Sequence, residues 1–336
     1  MLPGKVPPDV LERIVFAHLG KEDKDLLLGP AIGEDASLIR IGDSIIVAAT
    51  DPITGSVEDI GWLAVHINAN DIAAFGIRPR WFLASIILPL GFGESDLERI
   101  MTQIHEAAIS LDITVAGGHT EITEGIDRPI IAGFMMGVAT ENQYVTSSGA
   151  KPGDTIIMSK TAAIEGTAIL AAEGAPSLTE RLSPEIVDEA LSLRSQISVV
   201  EDGIIAFRTG QITAMHDPTE GGILGGLHEI CDASQVGFEI NLDSIAIHEA
   251  TSAICDVLSV NVLELISSGC LLMTCAPEGA ESVVEALEAR GIQATILGKI
   301  SSEASVRKGT RKGESIQMHR PKKDAIWDAL KKLNQK

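Results

Sequence analysis

The sequence has no apolar run long enough to cross a bilayer. Stretches such as Ile130 to Ala139 fall well short of the roughly 20 apolar residues that a transmembrane helix needs. The N-terminus also lacks the charged and then apolar pattern of a secretory signal. We therefore expect a soluble, cytoplasmic protein that does not act at a membrane.

Cysteine is scarce and carries no metal signature. The four cysteines lie in apolar surroundings and form no CxxC pair: Cys231, Cys255, Cys270 and Cys275. Neither a disulfide framework nor a zinc site is indicated by this spacing. We expect buried, reduced thiols.

Basic residues are outnumbered, with 26 Lys and Arg against 47 Asp and Glu and a net charge of −21. No basic run is available to neutralise phosphates along a strand, which argues against a sequence-independent nucleic-acid binder. An acidic chain of this kind favours solubility and metal ions.

Aromatic residues make up only 3% of the chain, whereas it has 32 glycines and 45% hydrophobic residues. This composition is typical of strands and helices joined by tight turns, so we predict an α/β or α+β fold. A chain of 336 residues has room for two domains. Gly and Pro accumulate at 147–154, which places the predicted boundary between domains 1–148 and 149–336.

The stretch Gly61 to Trp81 predicts one buried helix that is stopped by Pro79. Its small and apolar residues recur at helical spacing: Trp62, Val65, Ala69, Ile72 and Gly76. Asn68 and Asp71 are three residues apart and share a face. If the helix is tightly packed, Asp71 needs a cation, a metal or hydrogen-bond donors. The alternative is an ordinary core helix whose aspartate faces water.

A hairpin is predicted just before this helix. Two apolar runs, 36–41 and 44–50, flank a Gly-Asp pair. Asp35 precedes the first run and Asp51 follows the second. If the two strands pair, these carboxylates meet at one end of the hairpin.

A strand followed by a loop and a helix is predicted over Ile212 to Ile230, with the loop at Asp217 to Gly222. Such a junction leaves backbone N–H groups free to bind phosphate. An earlier strand, Ile113 to Gly118, runs into His119 and Glu121. In the first half of the chain we therefore expect every polar cluster at the end of a strand or on the central helix.

Both ends of the chain predict helices. Residues 9–20 carry apolar side chains on one face and stop at a glycine. Residues 321–333 predict a basic amphipathic helix that covers the surface and faces solvent.

Six acidic or imidazole side chains stand beside Gly or Thr near these ends: Asp35, Asp51, Asp71, His119, Glu121 and Asp217. Magnesium prefers carboxylate oxygens, and phosphoryl transfer needs mainly positioning and charge neutralisation. No Walker or GxGxxG motif is placed to hold a nucleotide in the usual way. Taken singly, each aspartate is better explained by capping or turn formation, and His119 by a satisfied loop histidine.

The order of the blocks carries more information than any one of them. GEDAS, TD, NANDIAAFGIRPRW, GGHTE, GAKPGD and HDPTEGGILGGLHEI follow one another along the chain. They resemble the signature blocks of the aminoimidazole ribonucleotide (AIR) synthase superfamily, which also contains selenophosphate synthetase, thiamine-monophosphate kinase and the hydrogenase-maturation HypE proteins. The sequence as a whole is most similar to the HypE-type branch.

The resemblance implies an N-terminal α/β domain whose strands pair across a homodimer into a barrel, and a C-terminal α+β domain. ATP and Mg²⁺ would lie in the cleft between the two. The implied magnesium ligands are Asp35, Asp51, Asp71 and Asp217. The residues implied near the nucleotide are Thr50, Asn68, Gly117, Gly118, Thr219, Glu220 and Gly221. The implied catalytic residues are Asp71, His119 and Asp217, with His119 as a metal ligand, a phosphate ligand or a base.

Three departures from the HypE pattern leave the substrate open. The chain ends LKKLNQK, where HypE has a Pro-Arg-x-Cys tail, so we expect no thiocyanate by that route. Ser267 to Cys270 replaces an Asn-Glu-Gly sequence. Glu220 stands where HypE has arginine, and an acid at a helix start repels phosphate unless a metal intervenes.

Three hypotheses follow. The first is an ATP- and magnesium-dependent enzyme that phosphorylates an oxygen of a small-molecule or peptide-borne substrate. The second is a nucleotide-responsive partner protein in metallocentre assembly that has lost its own chemistry, working with a maturation partner. The third is an acidic, dimeric metal-binding protein with no nucleotide role, which widely separated Asp35, Asp51 and Asp71 would favour.

Overall fold

The computed structural model describes residues 2–333. Within this range the chain forms thirteen β-strands and ten α-helices. The strands are β1 (Leu26–Leu28), β2 (Ser37–Ile41), β3 (Ser44–Ile53), β4 (Pro79–Pro89), β5 (Thr114–Thr123), β6 (Ile130–Ala139), β7 (Thr155–Ser159), β8 (Ile212–His216), β9 (Gly237–Asn241), β10 (Leu272–Cys275), β11 (Ala294–Ser301), β12 (Arg307–Arg311) and β13 (Glu314–Gln317). The helices are α1 (Pro8–Val10), α2 (Ile60–Ala73), α3 (Glu94–Ser110), α4 (Ile164–Leu178), α5 (Pro184–Ser192), α6 (Val200–Arg208), α7 (Gly222–Ala233), α8 (Glu249–Leu258), α9 (Ala280–Glu288) and α10 (Ile326–Leu333).

The first half of the chain builds a six-stranded sheet in the order β1-β2-β3-β6-β4-β5. The predicted hairpin is confirmed, since β2 and β3 pair antiparallel with Ile41 opposite Ser44. β4 and β5 are parallel neighbours. The register places Asp51, Gly133, Ala84 and Gly118 in one row across the sheet.

The second half builds a seven-stranded sheet in the order β13-β12-β9-β11-β7-β10-β8. β10 is buried along its whole length, between β7 and the edge strand β8. The mixed α/β class is therefore confirmed. Neither sheet closes into a barrel within residues 2–333, and the barrel formed across a dimer stays a prediction.

α2 is the predicted central helix, and all of its residues except Trp62 are buried. It packs on β3 and β6 and also on α3 and α6. The alternative that its aspartate faces water is wrong, because Asp71 is only 5% exposed. The polar atoms of Asn70 accept from the backbone of Val199 and donate to that of Ile197, which ties α2 to the chain that follows α5.

The helix ends earlier than predicted, at Ala73 and not at Pro79. Gly76 has φ +75°, and a Cβ on it would lie 2.4 Å from Cγ of Phe207. Glycine is needed there both for the left-handed turn and for the close approach of α6. The chain then enters β4 directly at Pro79.

β5 is longer than predicted. It pairs with β4 as far as Thr123, so His119 and Glu121 lie inside a strand and not after its end. The prediction that every polar cluster lies at the end of a strand or on α2 is therefore wrong. Nearly all of β5 is exposed, because it is the outermost strand of its sheet.

The two terminal helices also differ from the predictions. The first is irregular, since α1 is followed by a π-helical turn at Leu11–Val15, and no residue of either is buried. No packed face selects a regular helix there. The second begins at Ile326 and is partly buried, because Ile326 and Ala329 enter the core.

No helix within residues 2–333 combines the length and the apolar character that a membrane span requires.

Candidate functional site

Three aspartates from distant parts of the chain converge. Asp35 lies in the loop before β2, Asp71 lies in the last turn of α2, and Asp217 directly follows β8. One carboxylate oxygen of each lies within 4.8 Å of the others. Asp217 is fully buried and Asp71 is nearly so. Asp35 and Asp71 therefore lie close together, whereas a wide separation would have favoured the third hypothesis.

The loop that carries Asp35 reaches this position through a glycine. Gly33 has φ +81°, and a Cβ on it would lie 2.5 Å from the carbonyl oxygen of Glu229 in α7. Only a residue without a side chain lets the loop pack so closely on that helix. The next residues, Glu34 and Asp35, are thereby directed inward.

The chemistry of the group fits a hard divalent cation. Both carboxylate oxygens of Asp217 are buried and have no hydrogen-bond partner among residues 2–333. Unpaired buried carboxylates are costly unless a cation neutralises them. An all-oxygen set of three carboxylates is the kind of site that Mg²⁺ or Ca²⁺ prefers.

Asp35, Asp71 and Asp217 form a carboxylate cluster, and the pKa values of Asp71 and Asp217 are raised within it. Burial raises the pKa of Asp71 well above its usual range, and the charges of Asp51, Asp217 and Asp35 add to the rise. Burial likewise raises the pKa of Asp217, with Asp35 as the largest charge effect. Carboxylates held this close repel one another in the absence of a cation.

Asp51 lies beside the group and not within it. Its backbone N–H donates to Oδ1 of Asn68 at 2.9 Å, and Nδ2 of Asn68 donates to the carbonyl oxygens of Asp51 and Ala64. The Thr50 hydroxyl donates to the carbonyl oxygen of Gly133 at 2.7 Å. These polar atoms of Thr50 and Asn68 are therefore already hydrogen-bonded, and they hold β3 against α2 and β6. Burial raises the pKa of Asp51 to about 6, and Lys5 opposes that rise.

His216 and Glu229 were missed by the sequence reasoning. His216 is buried, and its ring bonds Oδ2 of Asp35 through Nδ1 at 2.8 Å and Oε2 of Glu229 through Nε2 at 2.9 Å. Burial lowers the pKa of His216, but the two carboxylates outweigh it and raise the value to about 10. The imidazolium thus holds one carboxylate of the cluster in place. The signal was present as the histidine that precedes Asp217.

Lys5 was also missed. Its Nζ lies 3.4 Å from Oε1 of Glu229, and its backbone N–H donates to Oε2 of Glu220 at 2.5 Å. Burial lowers the pKa of Lys5, but Glu229, Asp51, Asp35 and Asp217 outweigh it and raise the pKa above its ordinary value. The N-terminal segment therefore carries a cation to the carboxylate cluster.

The predicted phosphate seat after β8 is partly closed. The backbone N–H of Gly221 donates to Oδ2 of Asp324 at 2.6 Å, and that of Gly222 donates to the carbonyl oxygen of Thr219. Asp324 is 1% exposed. These two N–H groups are thus not free, because the C-terminal segment supplies an internal carboxylate that caps the loop.

Gly117, Gly118 and His119 are not brought to the aspartates within one chain. They lie on the exposed edge strand β5, three strand spacings from Asp51, which corresponds to about 14 Å across the sheet. Nε2 of His119 lies 3.2 Å from Oε2 of Glu121, and both side chains are exposed.

Two cavities flank the carboxylate cluster and share Lys5, Val6 and Glu220 as lining residues. The larger cavity, about 730 Å³, extends toward Asp35, His216 and Glu229 and toward the chain at 320–324. The smaller cavity, about 450 Å³, extends toward Asp51 and the start of α4 and is bordered by α10. The N-terminal segment lies between the two.

Comparison with known proteins agrees with this architecture. Residues 33–139 match the model of the AIR synthase related protein N-terminal domain, and residues 151–308 match that of the C-terminal domain. A putative hydrogenase expression/formation protein of Methanocaldococcus jannaschii is 30% identical over 89% of each chain. Carbamoyl dehydratase HypE of Rhizobium leguminosarum bv. viciae is 31% identical over 81% of this chain and 78% of its own.

The fold is shared with solved structures. The hydrogenase maturation protein HypE in complex with ATP superposes with a TM-score of 0.72 at 21% identity, covering 96% of this chain and 97% of the other.

Proposed function

The chain belongs to the AIR synthase related family, and from that premise we propose that it is an enzyme that uses ATP and Mg²⁺ to phosphorylate an oxygen of a small-molecule or peptide-borne substrate. The observation that carries the proposal is the convergence of Asp35, Asp71 and Asp217 with both oxygens of Asp217 unpartnered. Relatives that are named as carbamoyl dehydratases support an enzymatic role.

Asp35, Asp71 and Asp217 would hold the metal. Asp51 would add negative charge beside them, since its charge contributes to the raised pKa of Asp71. A bound Mg²⁺ supplies neutralisation of the phosphate charge. His216 is a positioning residue, because it fixes Asp35 through a short hydrogen bond and is itself fixed by Glu229.

The larger cavity suits the nucleotide. Lys322 lines it and can meet a polyphosphate directly, whereas Lys5, Arg320 and Lys323 would first give up their ion pairs with Glu229, Asp232 and Asp328. Val6, Pro8, Leu11 and Ile32 offer apolar surface to a base. Glu220 and Gly221 also line this cavity, whereas Thr219 lines the smaller one. The ATP complex of a HypE protein with this fold is consistent with the assignment.

In a homodimer, the exposed strand β5 would pair with another chain at the interface. Its outer edge is unpaired within residues 2–333, and Val115 and Ile122 on it are 42% and 57% exposed. Unpaired strand edges with exposed apolar side chains favour pairing with another chain. Gly117, Gly118 and His119 would then act at the interface or toward the partner's site.

The test is a calorimetric titration of ATP with and without Mg²⁺, followed by an assay for released ADP. Wild-type protein should bind ATP in a magnesium-dependent manner, and Asp71→Asn should lose this binding while keeping its circular dichroism spectrum. Asp127→Asn, at an exposed position, is the matched control. Unchanged magnesium-dependent turnover in Asp71→Asn would refute the proposal.

A second candidate function is a nucleotide-responsive partner protein in metallocentre maturation that has no chemistry of its own. It is favoured by the four cysteines, which are all buried and so present no thiol to a substrate. Magnesium-dependent ATP binding without ADP release would support this candidate. A pull-down from native extract with no ATP-dependent partner would count heavily against it.

A further inference from the structure

Four polar atoms in the wall of the smaller cavity have no hydrogen-bond partner among the described residues. They are Oε2 of Glu165, Oγ1 of Thr219, Oγ of Ser268 and Nε1 of Trp327. Glu165 is 4% exposed, Thr219 is 7% exposed and Ser268 is fully buried. Buried polar groups are nearly always paired. The Ser268 hydroxyl lies near enough to Glu165 to lower its pKa, and the four atoms together leave hydrogen-bonding capacity that a ligand could fill.

The two innermost groups are held rigidly. Glu165 lies in the first turn of α4, and its backbone N–H donates to the carbonyl oxygen of Ser268 at 3.1 Å. The backbone N–H of Ala163 donates to Oγ of Ser267 at 2.8 Å. The start of α4 and the loop before β10 are therefore joined by these bonds, which orients the two side chains before any ligand binds.

The charge of the smaller cavity is unfavourable for an anion. Asp51 and Glu220 line it in addition to Glu165, whose raised pKa of about 8 keeps it mainly protonated at neutral pH. Lys5 is the only cationic side chain among the described residues of its wall. That ammonium already lies beside Glu229. A phosphate group placed in this cavity would meet carboxylates with little to compensate them.

We propose that the smaller cavity is the acceptor subsite and that it takes an uncharged, phosphate-free molecule whose polar group bonds Glu165 and Ser268. This inference rests on the proposed function, since an acceptor presupposes phosphoryl transfer. The cavity adjoins Asp51 at the edge of the carboxylate cluster, so its occupant lies next to the nucleotide phosphates. A volume of about 450 Å³ matches a small molecule or the end of a peptide.

The protonation state of Glu165 agrees with an uncharged ligand. Burial raises its pKa to about 8, the neighbouring Ser268 hydroxyl opposes the rise, and the charges of Asp324, Asp51 and Glu220 add to it. At neutral pH the carboxyl group is mainly protonated and can both donate and accept. Such a group is complementary to a neutral carbonyl, amide or hydroxyl group.

The test uses Ser268→Cys, which places a thiol at the cavity wall with little change in size. The four native cysteines do not line this cavity, and wild-type protein treated in parallel gives the background rate. The thiolate attacks a methanethiosulfonate reagent to form a mixed disulfide and release methanesulfinate. Neutral methyl methanethiosulfonate is compared with its anionic sulfonatoethyl analogue, and Ser302→Cys at an exposed position corrects for the net charge of the protein.

After that correction, the anionic reagent should modify Ser268→Cys at least about tenfold more slowly than the neutral one. Magnesium with a non-hydrolysable ATP analogue should not slow the reaction of Ser268→Cys with the neutral reagent. Equal rates for the two reagents, no reaction with either, or protection by the nucleotide would each overturn the proposal. Thr54→Cys, at an exposed residue lining the same cavity, carries the same test if Ser268→Cys does not fold.

The same preparation separates this inference from the proposed function. Calorimetric titration of Ser268→Cys with ATP and Mg²⁺ reports on the larger cavity alone. Absence of magnesium-dependent binding there, and in wild-type protein, refutes the proposed function. Normal ATP binding together with equal reagent rates refutes only the acceptor subsite.

Discussion

The two cavities beside the carboxylate cluster share part of a wall but differ in charge. The larger one is lined by four cationic and five acidic side chains, whereas the smaller one is lined by one cationic side chain, three acidic ones and four unpartnered polar atoms. A polyphosphate needs cations, while a neutral group needs donors and acceptors that are already in place. The proposed function uses this difference, since it assigns the nucleotide to the larger cavity and a neutral acceptor to the smaller one.

We expect the largest change in ATP binding from a substitution in the carboxylate cluster between the two cavities. Asp217→Asn should weaken magnesium-dependent ATP binding by at least about 100-fold, because the cation loses a direct ligand. The melting temperature should hold or rise, since a buried and repelled carboxylate is replaced by a neutral amide of the same shape.

Calorimetry measures the ATP affinity and differential scanning fluorimetry the melting temperature. Asp127→Asn serves again as the exposed control. If Asp217→Asn bound ATP and Mg²⁺ as wild type does, the nucleotide would not use the carboxylate cluster, and the assignment of the larger cavity would fail.

A smaller effect should separate the two cavities directly. Lys322 is exposed and lines the larger cavity but not the smaller one. Lys322→Met should weaken ATP binding by about tenfold through the loss of one charge-assisted phosphate contact. Reagent selectivity at Ser268→Cys should not change in the double variant.

Lys21→Met, which removes an equally exposed positive charge outside both cavities, is the matched control. An equal loss of ATP affinity in the two variants would mean that only the overall charge matters. Loss of reagent selectivity in the Lys322 variant would mean that the cavities are not independent.

The smallest effect is a pH dependence of stability that belongs to the smaller cavity. The pKa of Glu165 is raised to about 8 in the folded protein, so between its ordinary value and pH 8 the folded state binds more protons than the unfolded state. The free energy of unfolding contributed by this group therefore falls as pH rises through that window. Glu165→Gln cannot ionise and should escape the loss.

Relative to wild type, the melting temperature of Glu165→Gln should rise by at least about 2 °C between pH 5 and pH 8. Glu189→Gln, at an exposed helical position, should show no such trend. A parallel pH profile for wild type and Glu165→Gln would show that Glu165 is ionised in the folded protein, and the neutral character of the smaller cavity would then be lost.

Local pattern was sufficient for much of the fold. The periodicity around Asp71 predicted a buried helix, the Gly-Asp pair between two apolar runs predicted the hairpin, and both appear in the structure. The end of α2 was misplaced because Gly76 is required by contact with Phe207, a residue far along the chain. The full extent of β5 was missed because pairing with β4 extends it through polar residues.

The residues of the candidate site also fall into two groups, those that the sequence indicated and those that it did not. The aspartates could be named from the sequence because each stands in a recognisable block. Lys5, Asp324 and Glu165 could not, because isolated polar residues of these types are common and usually solvated. His216 and Glu229 stand in the block that contains Asp217, but nothing in the local pattern indicates that they meet Asp35 and Lys5.

The sequence by itself therefore determined which segments become helices and strands and which carboxylates are available, since these depend on neighbours a few residues apart. Tertiary structure alone decided that Asp35 meets His216 and that Lys5 meets Glu229, which are 181 and 224 residues apart. It also decided that β5 keeps His119 away from the aspartates of its own chain. The physical reason is that charge and burial depend on distance in space, and the packing of segments that are far apart in the chain sets those distances.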